Sequence, residues 1–288
     1  MATRGADSTG TVWAYKSIGE KMSNVALEWP GPGIALVTVG DGGKANHNTT
    51  CATVSLLADA LDKAFADGAR VIVLASSVDG HWLEHAYLED IVRLVRGEAA
   101  TGDPAGWFRS LQALNRGPAV TIAAISGDTS GGGCELGWAC DLRVAEEQVR
   151  FSQPEVIIGV GTGIGGTSRL MRLIGRTMTA EVVLTGRPLT ARRLYELGGL
   201  NRLVPKGKAV EEALELAREI AALPPQAVAG MKQMLGEAED LNQTQGIEND
   251  QKISQTLFAH PDSVQGMARV QARFDAGETM DQVYWTKD

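Results

Sequence analysis

The sequence predicts a layered α/β fold, and three observations support this prediction. Short apolar runs of strand length alternate with stretches whose apolar residues recur at helical spacing. Glycine- and proline-rich turns separate these runs. With 288 residues, of which 44% are hydrophobic and 22% charged, the chain is long enough to bury one large core or a core plus an accessory unit. Strands that alternate with helices are typical of layered α/β proteins.

The first two-thirds of the chain predicts these elements in order. Residues 1–24 are polar and aperiodic, which indicates a loose N-terminal arm. Val25–Trp29 and Ile34–Val39 predict two strands joined by the turn Pro30–Gly33. A helix is predicted over Ala52–Phe65, and two buried strands are predicted over Arg70–Ala75 and Ala119–Ile125. A helical pattern after Gly133 then precedes a further strand over Leu142–Ala145.

Beyond Pro205 the apolar pattern becomes purely helical. Apolar residues from Val210 to Ala221 lie on one helical face, and helical patterns continue to about Phe274. The predicted parts of the chain are therefore an arm, an α/β core and a helical C-terminal region, over residues 1–24, 25–205 and 206–288. Because the C-terminal region is shorter than a usual domain, we expect it to pack on the core or on neighbouring subunits.

The composition indicates which kinds of partner and which cellular compartment to expect. The chain has 27 basic and 35 acidic residues and a net charge of −8, which argues against nucleic acid or an anionic membrane as its main partner. Its first residues lack the apolar region of a signal peptide, and no apolar run has the length of a membrane span. Cys51, Cys134 and Cys140 cannot all pair and lack CxxC spacing, so we expect buried thiols in a reducing cytoplasm.

Two short stretches contain the candidate chemistry. Ser130–Leu136 follows the apolar run Ala119–Ile125 and places three glycines before a helical pattern. Backbone N–H groups at such a helix N-terminus can bind a developing negative charge. The second stretch is Phe151–Glu155. Glu135 and Glu155 lie in segments that otherwise favour burial, and two buried carboxylates indicate acid–base catalysis.

Ordered motifs between residues 119 and 205 indicate a family. They are Ser126-Gly127, Gly131–Leu136, Ala139–Ala145, Phe151–Glu155, Gly165–Leu170, Leu184–Arg187 and Gly198–Leu200. In this order they resemble the enoyl-CoA hydratase/isomerase (crotonase) superfamily, and the likeness covers about residues 25–275. The resemblance implies a spiral of strand–strand–helix units with a helical C-terminal region, assembled as a trimer or a dimer of trimers. It also implies an acyl-CoA substrate, no metal, and no cofactor beyond the coenzyme A of the substrate.

The same resemblance assigns roles to four residues. The thioester carbonyl would lie between the backbone N–H groups of Gly132 and Leu83, which would stabilise an enolate. Glu135 would position and activate water, and Glu155 would protonate C2, as water addition across a 2,3-double bond requires. Many relatives that isomerise double bonds or cleave C–C bonds lack one of these two glutamates. Retention of both therefore favours hydration.

The loop expected to supply the second N–H departs from the family pattern. Superfamily members commonly have phenylalanine, two small residues, glycine, one further residue and aspartate there, whereas His85 replaces the glycine and Tyr87 the aspartate. Together with Asp128 and Thr129 before the glycines, this predicts a more polar acyl-binding cavity than is usual. The other predicted substrate- or CoA-binding residues are Lys44, Ala45, Asn46, Trp82, Glu84, Ala86, Gly131 and Gly163.

Other interpretations of the motifs stay open at this point. His81–His85 fits the His-x-x-Glu-His pattern of inverted zinc peptidases, but that site needs a helix and the preceding residues indicate a loop. Gly161–Gly166 fits the Gly-x-Gly-x-x-Gly pattern of dinucleotide-binding proteins. In those proteins an acidic residue about twenty positions further on closes a second strand, whereas here Glu181 lies in a helical pattern. Three rival functions are an enoyl-CoA isomerase, a CoA-independent hydrolase of β-diketone C–C bonds, and an acyl-CoA-binding subunit without turnover.

Overall fold

A computed structural model of the chain describes residues 13–14, 25–40 and 49–285. The chain divides into two compact units, Met1–Ala222 and Leu223–Asp288. All the strands described lie in the first unit, and the described part of the second unit is helical. None of the helices described is both long and apolar enough to cross a membrane.

Two sheets form the frame of the first unit. The strands, in chain order, are β1 (Trp13–Ala14), β2 (Val25–Gly31), β3 (Ile34–Val39), β4 (Val71–Ser76), β5 (Val120–Ile125), β6 (Thr129–Ser130), β7 (Leu142–Glu146), β8 (Arg150–Ser152), β9 (Leu189–Thr190) and β10 (Arg202–Val204). The larger sheet has the order β1-β2-β3-β4-β5-β7-β10, and the smaller sheet has the order β6-β8-β9. In the larger sheet, β1, β2 and β3 pair antiparallel, and the strands from β3 to β10 pair parallel.

Helices pack on this sheet, and further helices make up the described part of the second unit. Those of the first unit are α1 (Cys51–Ala66), α2 (Leu88–Val95), α3 (Ala105–Arg116), α4 (Gly131–Ala139), α5 (Gly166–Thr185), α6 (Ala191–Glu196) and α7 (Ala209–Ala221), with a short 3₁₀ helix over Glu155–Ile158. Those of the second unit are α8 (Pro225–Ala238), α9 (Gln243–Phe258), α10 (Pro261–Asp275) and α11 (Met280–Tyr284). Helix α1 packs on α3, and α7 packs against β4 and β5. The helical region predicted over 206–288 thus divides between the two units.

The apolar runs become strands because helices bury them. All six residues of β5 are buried, as are five of the six in β4, which explains why these strands are almost entirely apolar rather than alternating. The predicted α/β class is confirmed, and so are the strands near residues 25, 34, 70, 119 and 142. Strand β2 runs further than predicted, through Pro30 to Gly31, because its pairing with β3 shifts register after Glu28 and a proline fits at such an irregularity.

The second unit is held by helix packing and helix capping. Helix α8 packs against α9, and α9 packs against α10. Helix α9 begins with a capping box in which Asn242 and Gln245 each bond the other's backbone, and α11 begins with the same arrangement of Thr279 and Gln282. Such reciprocal bonds satisfy N–H groups that a helix leaves unpaired at its first turn.

Two buried charged side chains fix the backbone near the predicted site residues. Asp90 of α2 accepts hydrogen bonds from Cys51 N at 2.8 Å and from Thr101 N at 2.7 Å, so it ties the start of α1 to the segment before α3. Arg143 of β7 donates to the carbonyl of Cys140 at 2.6 Å and of Gly199 at 2.9 Å. Because buried charges are costly unless hydrogen-bonded, these contacts specify where α1 and α4 lie.

Gly133 in α4 leads to a prediction about stability. A Cβ atom at this position would lie 2.0 Å from Leu83 O and 2.3 Å from Leu83 C, and backbone atoms cannot move aside without distorting the loop. We expect Gly133→Ala to lower the free energy of unfolding by about 3 kcal/mol, measured by urea denaturation. The control is Gly246→Ala in α9, where an added Cβ would meet nothing beyond its own turn of helix within 4 Å, and we expect a gain of up to about 1 kcal/mol there. Unchanged stability of Gly133→Ala would contradict the close packing of α4 on the loop.

Candidate active site

A cavity of about 560 Å³ opens in the first unit, between α2, α3, the start of α4 and the 3₁₀ helix. Its volume lies within the range of small-molecule sites. The structure brings eight of the predicted site residues to its wall, namely His85, Ala86, Tyr87, Gly131, Gly132, Glu135, Glu155 and Gly163. Lys44, Ala45 and Asn46, predicted to bind the adenine and phosphates of CoA, lie outside the described residues.

Glu135 is fixed by the N-terminus of α5. Its side chain is buried, and Oε1 accepts hydrogen bonds from Gly166 N at 2.6 Å and Ile164 N at 3.0 Å. Burial raises the pKa of this carboxyl above its ordinary value, while the two amide donors and the charge of Arg169 oppose that rise. The two amides bond the same oxygen atom, so they hold this carboxyl group in one orientation.

Glu155 lies in a different environment at the start of the 3₁₀ helix. Burial raises the pKa of Glu155, the charge of Glu135 raises it further, and the neighbouring His85 acts in the opposite direction. Gly131 lies against this carboxyl group, since a Cβ atom at position 131 would be 3.2 Å from Glu155 Oε1. With its amide nitrogen facing the carboxyl group, Gln153 donates to Glu155 Oε1 at 2.8 Å.

Gln153 is a positioning residue that the sequence analysis missed. It is 1% exposed, and its amide oxygen accepts from the Trp138 indole at 3.2 Å while its nitrogen faces Glu155. A polar side chain buried between two partners in this way holds the carboxyl group in place. In the sequence, Gln153 lies directly before Pro154 in the same short motif as Glu155.

Burial raises the pKa of both carboxyl groups above its ordinary value. At Glu135 two backbone donors oppose the rise, whereas at Glu155 the charge of Glu135 adds to it. Two buried carboxyl groups with raised pKa values in one cavity are typical of acid–base sites.

Two backbone N–H groups lie side by side near these carboxyl groups. A Cβ atom at Gly132 would lie 3.2 Å from Ala86 N and 2.7 Å from the Trp107 ring, so glycine is needed for this close approach. Within the described part of the chain, neither Ala86 N nor Gly132 N donates a hydrogen bond to another protein group. Adjacent amide donors at the start of a helix can stabilise an oxyanion.

Leu83, the predicted second donor, does not line the cavity. Its side chain is fully buried, and its carbonyl accepts from the Thr129 hydroxyl at 2.5 Å. The reason is the path of the loop. Residues 81 and 82 pair with Asp128, where Trp82 N donates to Asp128 O at 2.9 Å, and the chain reaches Gly132 only at Ala86. Ala86 therefore replaces Leu83 as the candidate partner of Gly132.

Two more predicted binding residues, Trp82 and Glu84, do not line the cavity. Trp82 is fully buried and packs against Gly137 of α4. Glu84 contacts His81, and its Oε2 lies 3.5 Å from His85 Nδ1. These contacts lower the pKa of Glu84, chiefly through the hydrogen bond with His85. The segment is a loop that precedes α2, and among the described residues no cluster of three metal-ligating side chains occurs.

The prediction that Asp128 and Thr129 make the acyl cavity polar is wrong. Asp128 faces Arg150, whose Nε lies 2.9 Å from Asp128 Oδ2, and the Thr129 hydroxyl bonds the Leu83 carbonyl. Both side chains therefore have hydrogen-bond partners outside the cavity and do not line it. Most of the wall is apolar and comes from α2, α3 and the segment after Glu155, through Leu88, Ile91, Leu94, Trp107, Phe108, Ile157, Ile158, Val160 and Ile164.

Comparison with known proteins identifies the family. Residues 31–275 match the enoyl-CoA hydratase/isomerase family. The chain belongs to this family. A probable enoyl-CoA hydratase of Rhizobium meliloti is 34% identical over 212 residues, which cover 74% of this chain and 75% of that protein. The 2,3-dehydroadipyl-CoA hydratase of Escherichia coli is 34% identical over 165 residues, covering 57% of this chain and 63% of that protein.

Solved structures of the family share the architecture. The crystal structure of an enoyl-CoA hydratase from Mycobacterium marinum superimposes with a TM-score of 0.74 at 31% identity, covering 86% of this chain and 95% of that one. The chain is thus an enzyme of the crotonase superfamily with the crotonase fold, and both predictions made from its motifs are confirmed.

Proposed function

We propose that this enzyme adds water across the 2,3-double bond of a 2-enoyl-CoA thioester. The observation that carries the proposal is the pair of carboxyl groups, Glu135 and Glu155, which line one cavity where burial raises the pKa of each. The adjacent amides of Ala86 and Gly132 supply the third component, a site for a negatively charged oxygen.

The chemistry uses each group once. The thioester carbonyl oxygen accepts hydrogen bonds from Ala86 N and Gly132 N, which stabilise the charge that develops as the double bond is attacked. The Glu135 carboxylate takes a proton from water while the water oxygen bonds to C3. The electron pair of the double bond passes into the enolate, and Glu155 donates its proton to C2. Transfer of the proton from Glu135 through solvent to Glu155 restores the starting state.

The presence of two carboxyl groups favours hydration over its main rival, isomerisation. Isomerisation of a double bond moves a proton between two carbons, which one acid–base group can perform, whereas hydration needs a base for water and an acid for carbon. The hydrogen bonds from Ile164 and Gly166 hold Glu135 as a dedicated acceptor, which supports hydration. A second candidate is hydrolysis of a β-diketone C–C bond, because His85 lies in the cavity wall with Glu84 beside it.

The proposal extends to cofactor, assembly and location. We propose catalysis without a cofactor other than the coenzyme A of the substrate, since the described groups account for every proton transfer. We propose a homotrimer or a dimer of trimers, supported by large apolar side chains that the second unit exposes, among them Leu235, Phe258 and Trp285. A cytoplasmic location is supported by three buried cysteines without disulfides.

A direct assay tests the proposed function. The purified enzyme should consume crotonyl-CoA with loss of the conjugated-thioester absorbance, and mass spectrometry should show a product heavier by one water. A 3-enoyl-CoA and a cyclic β-diketone serve as contrasting substrates in the same assay. Faster conversion of the 3-enoyl-CoA to its 2-enoyl isomer would favour isomerisation, and turnover of the diketone alone would favour C–C hydrolysis.

A further inference from the structure

The two backbone donors of the site are held in place in different ways. Gly132 lies in the first turn of α4, where the helix itself orients the N–H group. Ala86 lies between the bridge at His81 and the start of α2 at Leu88, in a segment that is neither helix nor strand. Because each residue of such a segment retains two soft dihedral angles, contacts from elsewhere must fix the direction of the Ala86 N–H group.

Thr49 bonds the peptide groups on both sides of Ala86. The Thr49 hydroxyl donates to the carbonyl of His85, and the Thr49 carbonyl accepts from Tyr87 N at 3.3 Å. Thr49 is 1% exposed and lines the same cavity as Ala86. One buried residue therefore holds the group before Ala86 and the group after it.

The bond to His85 determines where the Ala86 N–H group points. The carbonyl of His85 and the N–H of Ala86 belong to one planar peptide group, and the described peptide bonds are all trans. In a trans peptide the C=O and N–H bonds point in opposite directions. Because Thr49 holds the carbonyl, the N–H group points away from Thr49, and its nitrogen is the atom that lies beside Gly132. A hydrogen bond to the carbonyl also polarises the peptide group and makes its N–H a stronger donor.

Thr49 is itself attached to a fixed part of the fold. The next residue, Thr50, is the N-cap of α1, and its hydroxyl accepts from Thr53 N at 3.1 Å. Cys51 N, in the first turn of α1, donates to the buried Asp90 carboxylate at 2.8 Å. Helix α1 packs on α3. The position of the segment that contains Ala86 is therefore tied to the start of a buried helix.

Resting on the proposed hydration, we propose that Thr49 is a positioning residue, whose hydroxyl orients the His85–Ala86 peptide group so that Ala86 N donates to the thioester oxygen. Thr49 acts through Ala86 and does not itself bond the reacting atoms. The negative charge on the thioester oxygen grows as the enolate forms, so a correctly directed donor stabilises the transition state more than the bound substrate. Loss of the hydroxyl should therefore lower kcat more than it raises KM.

The first test compares Thr49→Val and Thr49→Ser with crotonyl-CoA as the substrate. Valine has nearly the shape of threonine but no hydroxyl, so kcat should fall by about tenfold, less than the loss of an oxyanion donor itself would cost, with little change in KM. Serine retains the hydroxyl, and Thr49→Ser should have nearly the kcat of the unaltered enzyme. The control is Thr179→Val, which should leave kcat unchanged. Thr179 is 2% exposed and does not line the cavity, and its hydroxyl donates to another backbone carbonyl, Gly175 O, at 2.9 Å.

The second test measures the polarisation of the thioester without turnover. Butyryl-CoA has no double bond to hydrate, and the stretching frequency of its ¹³C-labelled carbonyl falls when N–H groups donate to the oxygen. Infrared difference spectra should show this lowering in the unaltered enzyme, in Thr49→Ser and in Thr179→Val, and a smaller lowering in Thr49→Val. Thr49→Ala removes the hydroxyl without placing a methyl group against the His85 carbonyl. It should behave as Thr49→Val does, and it replaces that variant if circular dichroism shows that valine prevents folding.

The outcomes distinguish the role of Thr49 from the proposed function. A variant without the hydroxyl that keeps its kcat, or that loses kcat while the carbonyl frequency stays as in the unaltered enzyme, would overturn the role of Thr49. A low kcat in Thr49→Ser would also contradict it, because the hydroxyl would not be the group that matters. An unaltered enzyme that lowers the carbonyl frequency but hydrates no enoyl-CoA would overturn hydration alone, and the spectra would still test Thr49. If the unaltered enzyme does not lower the frequency, Ala86 and Gly132 do not bind the thioester, and the role of Thr49 is overturned with theirs.

Discussion

The Glu155→Gln variant should hydrate a 2-enoyl-CoA at least about a hundredfold more slowly than the unaltered enzyme, the usual contribution of a general acid. Glutamine has nearly the shape of glutamate, and its amide oxygen can still accept from Gln153, so the cavity is preserved. The variant lacks the acidic proton that C2 must receive. We therefore expect kcat to fall and KM to change little, as measured by loss of the conjugated-thioester absorbance.

The pH profile adds an independent check on the same residue. Burial and the charge of Glu135 raise the pKa of Glu155, so the acid stays protonated to a higher pH than an ordinary glutamate. The value of kcat/KM should fall as pH rises through this raised pKa, because the ionised group cannot donate, and this limb should be absent in Glu155→Gln. Glu147→Gln is the control, since Glu147 is an exposed carboxylate paired with Arg192. Near-normal turnover by Glu155→Gln would remove Glu155 from the mechanism.

The elements that the sequence predicts well are those in which local pattern and tertiary burial agree. Strands β4 and β5 are almost entirely apolar because both of their faces are buried, and a short apolar run between turns signals this environment. Glu135 and Glu155 were likewise predictable, since a carboxylate in an apolar segment must have a partner or a function. Both lie in the cavity wall.

The register of the loop before α2 was not predictable, because distant contacts determine it. Alignment on the aromatic Trp82 places Leu83 at the oxyanion position. In the structure, the bond from Trp82 to Asp128 and the contact of the Leu83 carbonyl with Thr129 hold this part of the loop away from the cavity. The partners are more than forty residues away along the chain, so no local pattern could identify Ala86 as the amide beside Gly132.

The positions of Asp128 and Thr129 were mispredicted for a related reason. Asp128 and Thr129 lie next to the glycines in sequence, but their side chains bond Arg150 and the Leu83 carbonyl. The apolar side chains of the cavity come instead from α2, from α3 and from the segment after Glu155. Proximity in sequence to a catalytic motif therefore did not indicate proximity to the acyl group.

Glu135→Gln should also lower kcat for hydration by about a hundredfold, because water would lose its proton acceptor. The amides of Ile164 and Gly166 bond Glu135 Oε1, and in the variant they select the amide oxygen, which leaves the NH₂ group as the other terminus. That group donates hydrogen bonds and cannot take a proton from water. The measurement is again the rate of crotonyl-CoA hydration, with Glu147→Gln as control.

The comparison of the two glutamine variants decides between hydration and isomerisation. If hydration is the native reaction, both single variants should lose activity, and the double variant should be little worse than either, since the two groups act in one step. Exchange of the C2 proton with solvent should persist in Glu135→Gln, because Glu155 alone serves C2. Full activity of Glu135→Gln beside an inactive Glu155→Gln would show that only one acid–base group matters, and the enzyme would then be an isomerase.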